Sequence, residues 1–122
     1  MSKYTFFIAT EPYKFEATDS MIKMGEALIS KGHGIRGIFF FGTGVYSLKK
    51  EITVGSSVRN VPEKLEQFCE KNNIPMAACS TWVSITGVKE EEFIKNASEE
   101  GLGDFSNWVM ESDKVILFGA GG

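Results

Sequence analysis

Apolar positions along this chain follow two rhythms, and their alternation predicts the fold. Tyr4 to Thr10 is a short run of aromatic and β-branched residues that reads as a strand. From Thr18 to Ser30, Met21, Met24 and Leu28 recur at spacings of three and four, the stripe of a helix, and Gly32 is placed to close it. Gly34 to Phe41 ends in the unbroken run Ile38-Phe39-Phe40-Phe41. A strand covered on both faces, as in a parallel sheet, carries such a run rather than an alternation. A second helix is predicted from Val61 to Asn72. Asn60 and Glu63 have the spacing of a capping box, Pro62 suits a first turn, and Val61, Leu65, Phe68 and Cys69 line one face. Ile74 to Cys79 is a third strand, and the hydroxyl-rich Ser80-Thr81 behind it can start a helix. Gly101 to Ser112 is predicted helical with Leu102, Phe105, Trp108 and Val109 inward, and Val115 to Phe118 is a last apolar strand. Strands alternating with helices imply βαβ units: an α/β fold of three layers, with a mostly parallel sheet and helices on both faces. No repeat, low-complexity tract or linker divides residues 1–122, which read as a single domain.

One segment breaks the economy of this pattern. Gly42 to Arg59 has no clear periodicity and carries Gly42, Gly44, Gly55, Ser56 and Ser57. Loops of that length in compact domains tend to be functional or disordered. In parallel α/β sheets ligands bind beyond the carboxyl ends of the strands. Three connections should meet there: Glu11-Pro12-Tyr13, Gly42–Arg59 and Cys79-Ser80-Thr81.

Composition narrows the classes of function. The chain has 122 residues, 43% of them hydrophobic and 24% charged, as an ordinary globular domain does. A net charge of −3 lacks the basic excess of a nucleic-acid binder. No window approaches the ~18 apolar residues of a membrane span. The run Tyr4 to Ala9 is too short for a secretory h-region, so the expected compartment is the cytoplasm, where two cysteines stay reduced.

Candidate chemistry centres on Cys79. Free cysteines are often small buried hydrophobes. This one, however, ends a strand on the edge where such sheets do chemistry and faces the first N–H groups of a helix, whose partial positive charge favours a thiolate. Cys69 falls on an apolar helix stripe beside Leu65 and Phe68 and reads as core. His33, the only histidine, lies between glycines at the amino end of a strand, the wrong end to partner Cys79. Two separated cysteines and one histidine show no metal-ligand spacing. Gly42-Thr43-Gly44 lacks the third glycine of a dinucleotide fingerprint and the Lys-Ser/Thr of a phosphate loop. The closing Gly119-Ala120-Gly121-Gly122 has no helix after it to present N–H groups. Lys89-Glu90-Glu91-Glu92 reads as a solvated helix start. Trp82 is open between a core role and shielding of the thiol.

The stretch Cys79-Ser80-Thr81-Trp82-Val83-Ser84-Ile85-Thr86-Gly87-Val88 resembles the active-cysteine segment of the DsrE/TusD sulfur-relay proteins. Gly32-His33, Phe39-Phe40-Phe41 and Gly44-Val45-Tyr46 resemble that family's second strand and following loop. Gly101-Leu102-Gly103 and Asp113-Lys114-Val115 resemble its last helix and strand, so the likeness spans essentially the whole chain. The resemblance implies a DsrE-like, flavodoxin-related sheet of about five strands and a cytoplasmic sulfurtransferase. On this reading Cys79 accepts sulfane sulfur as a persulfide and passes it to a partner thiol. It implies no cofactor, and no direct contact with membrane or nucleic acid. Its partners would be a small sulfur-carrier protein (TusA-like) or other relay subunits, within a homotrimer or hexamer. Ser80 and Thr81 are candidates to stabilise the thiolate or persulfide, and Tyr13, Tyr46, Arg59 and Trp82 to form the rim. Many members place an arginine where Thr86 stands, which leaves stabilisation here to the helix start or to Lys89. Two other readings stand beside this one: a non-catalytic structural subunit of a relay oligomer, and a flavodoxin-like binder of a small anionic ligand through the glycine-rich loop.

Overall fold

Five strands, all parallel, carry the architecture of a computed structural model that describes residues 1–10, 17–50 and 60–119. In chain order the elements are β1 (Lys3–Ile8), α1 (Ala17–Ser30), β2 (Gly34–Phe40), α2 (Val61–Asn72), β3 (Met76–Cys79), α3 (Ser80–Thr86), β4 (Ala97–Glu100), α4 (Leu102–Glu111) and β5 (Lys114–Phe118). Short 3₁₀ segments cover Gly42–Leu48 and Glu90–Glu92. The sheet order is β4-β3-β2-β1-β5, so the predicted three-layer α/β class is the one observed.

Strand alternation sorts the side chains onto two faces. Phe6, Ile8, Ile38, Phe40, Met76 and Ala78 join Met21 of α1 and Leu65, Phe68 and Cys69 of α2 in the larger core. Phe39, Ala77 and Cys79 point the other way, into a smaller cluster closed by Trp108 of α4. Gly37 allows that closure: a Cβ there would sit 2.6 Å from the Trp108 ring. At the base of α4, the Ser112 hydroxyl donates to the Trp108 carbonyl at 2.7 Å and lies 2.6 Å from the buried Thr5 hydroxyl, which fixes the indole over the sheet.

The caps behave as the sequence suggests. The Asn60 side chain accepts from the Glu63 N–H at 3.1 Å and starts α2 at Val61. Gly32, at φ +88°, ends α1, its N–H donating to the Ile29 carbonyl. The polar segment Ala97–Glu100, which has no hydrophobic pattern to announce it, forms the edge strand β4.

Three sequence expectations need correction. The start of the long aperiodic segment is ordered as 3₁₀ turns rather than open loop, packed so tightly that a Cβ on Gly44 would lie 2.6 Å from the Ile8 carbonyl oxygen. The acidic run is a single 3₁₀ turn rather than a helix start. It is held by the Glu92 carboxylate, which accepts from the Lys89 backbone N–H at 2.9 Å and pairs with Lys49 at 3.1 Å. Both contacts hold that carboxyl below its ordinary range, the backbone hydrogen bond being the larger cause. Leu102 and Val109, expected to face inward, are exposed on α4, because the helix buries only the side bearing Phe105 and Trp108. Met24 on the α1 stripe is likewise exposed.

Candidate active site

The carboxyl edge of the sheet is built by chain reversals that directly follow β2 and β3. β3 ends at Cys79, whose extended backbone (φ −60°, ψ 122°) makes it the N-cap of α3. Its side chain makes no capping hydrogen bond. The first turn of any helix leaves N–H groups without intrahelical acceptors, and the sulfur sits at that turn. Ser80 is half-buried and Thr81 exposed, both on the same turn. α3 packs against the 3₁₀ segment Gly42–Leu48, which carries Tyr46 with an exposed ring.

The expectation of an accessible thiol is not met. Cys79 is only 2% exposed. It belongs to the apolar cluster of Phe39, Ala77 and Trp108, around which Phe7, Phe41, Trp82 and Phe105 pack as partly buried rings. Trp82 meets Phe41 edge to face, with centroids 5.6 Å apart, and Phe105 lies 5.0 Å from Phe39 and 4.9 Å from Phe7. Trp82 packs against both the main core and the cluster that holds Cys79.

Other candidate residues separate cleanly. Tyr13 and Arg59 lie outside the described residues, as do Glu11, Pro12, Gly55, Ser56, Ser57 and Ala120–Gly122. Thr86 is occupied locally: its hydroxyl donates to the Val83 carbonyl at 3.3 Å and accepts from the Val88 N–H at 3.4 Å, ending α3 where Gly87 turns left-handed. Lys89 is exposed, its backbone N–H given to Glu92. His33 is structural: its Nδ1 accepts from the Ser2 N–H at 2.9 Å and its ring meets Tyr4 edge-on. Cys69 is core as expected, and burial pushes its thiol up to about 12. Among the described residues no group of three His, Cys, Asp or Glu side chains could hold a metal ion, and no helix is long and apolar enough to cross a membrane.

One residue beside the thiol escaped the sequence reading. β3 and β4 run in parallel register with Ala77 opposite Ser98 and Cys79 opposite Glu100. Ser98 and Glu100 thus share the face of Cys79, and their side chains are hydrogen-bonded to each other at 3.2 Å. Only the strand pairing reveals this, since β4 has no sequence signature.

The fold recurs in a known structure, and the sequence has relatives along its whole length. The crystal structure of the Escherichia coli protein ychN superposes with a TM-score of 0.83, at 21% identity over 97% of this chain and 100% of that one. A protein of Allochromatium vinosum named DsrE, to which sulfurtransferase activity is ascribed by inference, is 24% identical over 96% of this chain and 98% of its own length. The sulfurtransferase TusD of Proteus mirabilis is 27% identical over 94% of this chain and 97% of its own. Residues 2–118, from the start of β1 to the end of β5, match the DsrE/DsrF-like family, and the chain belongs to it.

Proposed function

We propose that the protein is a sulfurtransferase of a sulfur relay, carrying sulfane sulfur as a persulfide on Cys79. The observation that carries this reading is the position of Cys79, at the carboxyl end of β3 and the N-cap of α3. A helix start favours a sulfur anion, and the chemistry calls for no metal or organic cofactor. The Cys79 thiolate attacks the outer sulfur of a donor persulfide. The new sulfur–sulfur bond forms as the donor's own breaks, and the donor leaves as a thiolate that takes up the proton Cys79 gave away. An acceptor thiolate then attacks the outer sulfur in the same way and releases Cys79. Ser80 and Thr81 contribute donors at the sulfur, while Trp82 and Tyr46 shape the rim. The aromatic cover must swing aside for each transfer, and between transfers it slows oxidation of the sulfur. Two free thiols suit a reducing compartment, and we place the relay in the cytoplasm.

The partners in this reading are a small carrier protein that delivers the sulfur and further copies of this chain. On the α4 side of the sheet, β5 lies uncovered. Leu117 is 64% exposed, and the α4 residues Leu102 and Met110 are 53% and 85% exposed, with Val109 and Val115 beside them. Leu117 is in register with Phe7, which packs on Phe105, so the patch continues into the cluster around Cys79. Apolar area of this kind marks an interface, and a homotrimer or hexamer would cover it. A second reading, a structural subunit of the same relay, draws on the burial of Cys79.

A transfer assay separates the two. The protein is treated with a low-molecular-weight persulfide, desalted and mixed with a peptide thiol. A sulfurtransferase hands over one sulfur per chain, and Cys79→Ser hands over none. A structural subunit hands over none in either form.

A further inference from the structure

We infer that Glu100 selects the sulfur donor, disfavouring inorganic sulfur oxyanions such as thiosulfate and favouring sulfur delivered on an uncharged or basic carrier. The inference rests on Cys79 being the sulfur-bearing thiol. Glu100 is the Cα partner of Cys79 across the β3–β4 pair, and neighbouring strands lie ~4.8 Å apart. Both residues point to the α4 side of the sheet, and the Glu100 carboxylate is half-buried and tied to the Ser98 hydroxyl at 3.2 Å. The cluster that holds Cys79 is otherwise apolar, made of Phe39, Ala77 and Trp108 with Phe7, Phe41, Trp82 and Phe105 packed on it. Arg36, a cation on this face, sits toward the amino ends of the strands, over the Trp108 ring and paired with Glu111. Thr86 is neutral and spends its hydroxyl on α3. An incoming anion therefore meets a negative charge beside the sulfur.

The test compares two alkylating probes of nearly equal size, iodoacetate and iodoacetamide. In each the Cys79 thiolate forms a sulfur–carbon bond and iodide leaves. Any change in thiol ionisation or in opening of the aromatic cover alters both rates alike, so their ratio reads only the charge of the probe. At ~6 Å, one unit charge discriminates by roughly three- to a hundredfold between the dielectric of water and that of a protein surface. Glu100→Gln is expected to raise the iodoacetate-to-iodoacetamide ratio at Cys79 by that factor. Glu99→Gln, which removes an equal charge from the opposite face of β4, is expected to leave it unchanged. An unchanged ratio in Glu100→Gln, or an equal rise in Glu99→Gln, overturns the inference and leaves the persulfide reading standing. A native protein in which Cys79 reacts with neither probe defeats both.

Discussion

Replacing Trp82 with alanine should expose the thiol that the native cover hides. Cys79 is nearly inaccessible, so a small reagent reaches it only in molecules whose aromatic cover has swung away. The alkylation rate then scales with the open fraction. The Trp82–Phe41 contact is edge to face at 5.6 Å, a geometry that contributes about 0.5–1.5 kcal/mol beyond simple area burial. Removing it lowers the cost of opening by that amount, and each ~1.4 kcal/mol is tenfold in population. Iodoacetamide should therefore label Cys79 about two- to twelvefold faster in Trp82→Ala, measured by peptide mass spectrometry under native conditions. Cys69 is the internal control. It is fully buried in the main core, so labelling there requires far wider unfolding. A rate at Cys79 that does not change would refute the cover. A parallel acceleration at Cys69 would refute it too, since the effect would then be loss of the fold rather than local opening.

Other outcomes follow from the same coordinates. Gly37→Ala drives a Cβ to 2.6 Å from the Trp108 ring, which the cluster below holds in place; overpacking of this sort costs about 1–3 kcal/mol, and a thermal melt should show a Tm lower by several degrees. The Cys69 thiol is held at about 12 when folded against 9.0 as its ordinary value, so the folded state keeps its proton where the unfolded chain loses it. Stability is thus fully retained below about pH 9 and falls toward pH 12 by about 1.4 kcal/mol per pH unit from this thiol, a slope that urea melts should find missing in Cys69→Ala. Leu117→Glu places a charge in the exposed β5 patch, and sedimentation should show the assembly reduced to monomers with far-UV dichroism unchanged. Persistence of the oligomer would move the interface elsewhere.

The main helices and strands were legible because each carries a local reason for its form. The Asn60–Glu63 cap set the start of α2, and the unbroken Ile38–Phe41 run marked a strand buried on both faces. The strand β4 was not legible, because an edge strand of Ala-Ser-Glu-Glu needs no apolar alternation and is held by its pairing with β3. That omission hid Glu100, whose place beside Cys79 exists only in the register. The strand-end position expected of Cys79 is the one observed, whereas its burial differs from the expectation. Trp82, three residues on, is joined around it by Phe41, Phe105 and Trp108, which are distant in sequence and brought there only by tertiary packing. Leu102 and Val109 misled in the opposite sense: their spacing is helical, yet the sheet beneath α4 takes up only Phe105 and Trp108.

The most direct measurement is the mass of the folded protein after exposure to a persulfide donor, followed by mapping of the cysteine peptides. The account predicts a gain of one sulfur atom on the peptide holding Cys79, retained in Cys69→Ser, lost in Cys79→Ser and removed by a reducing thiol. An unmodified Cys79, with the native fold intact and the donor still active toward a free thiol, would contradict it.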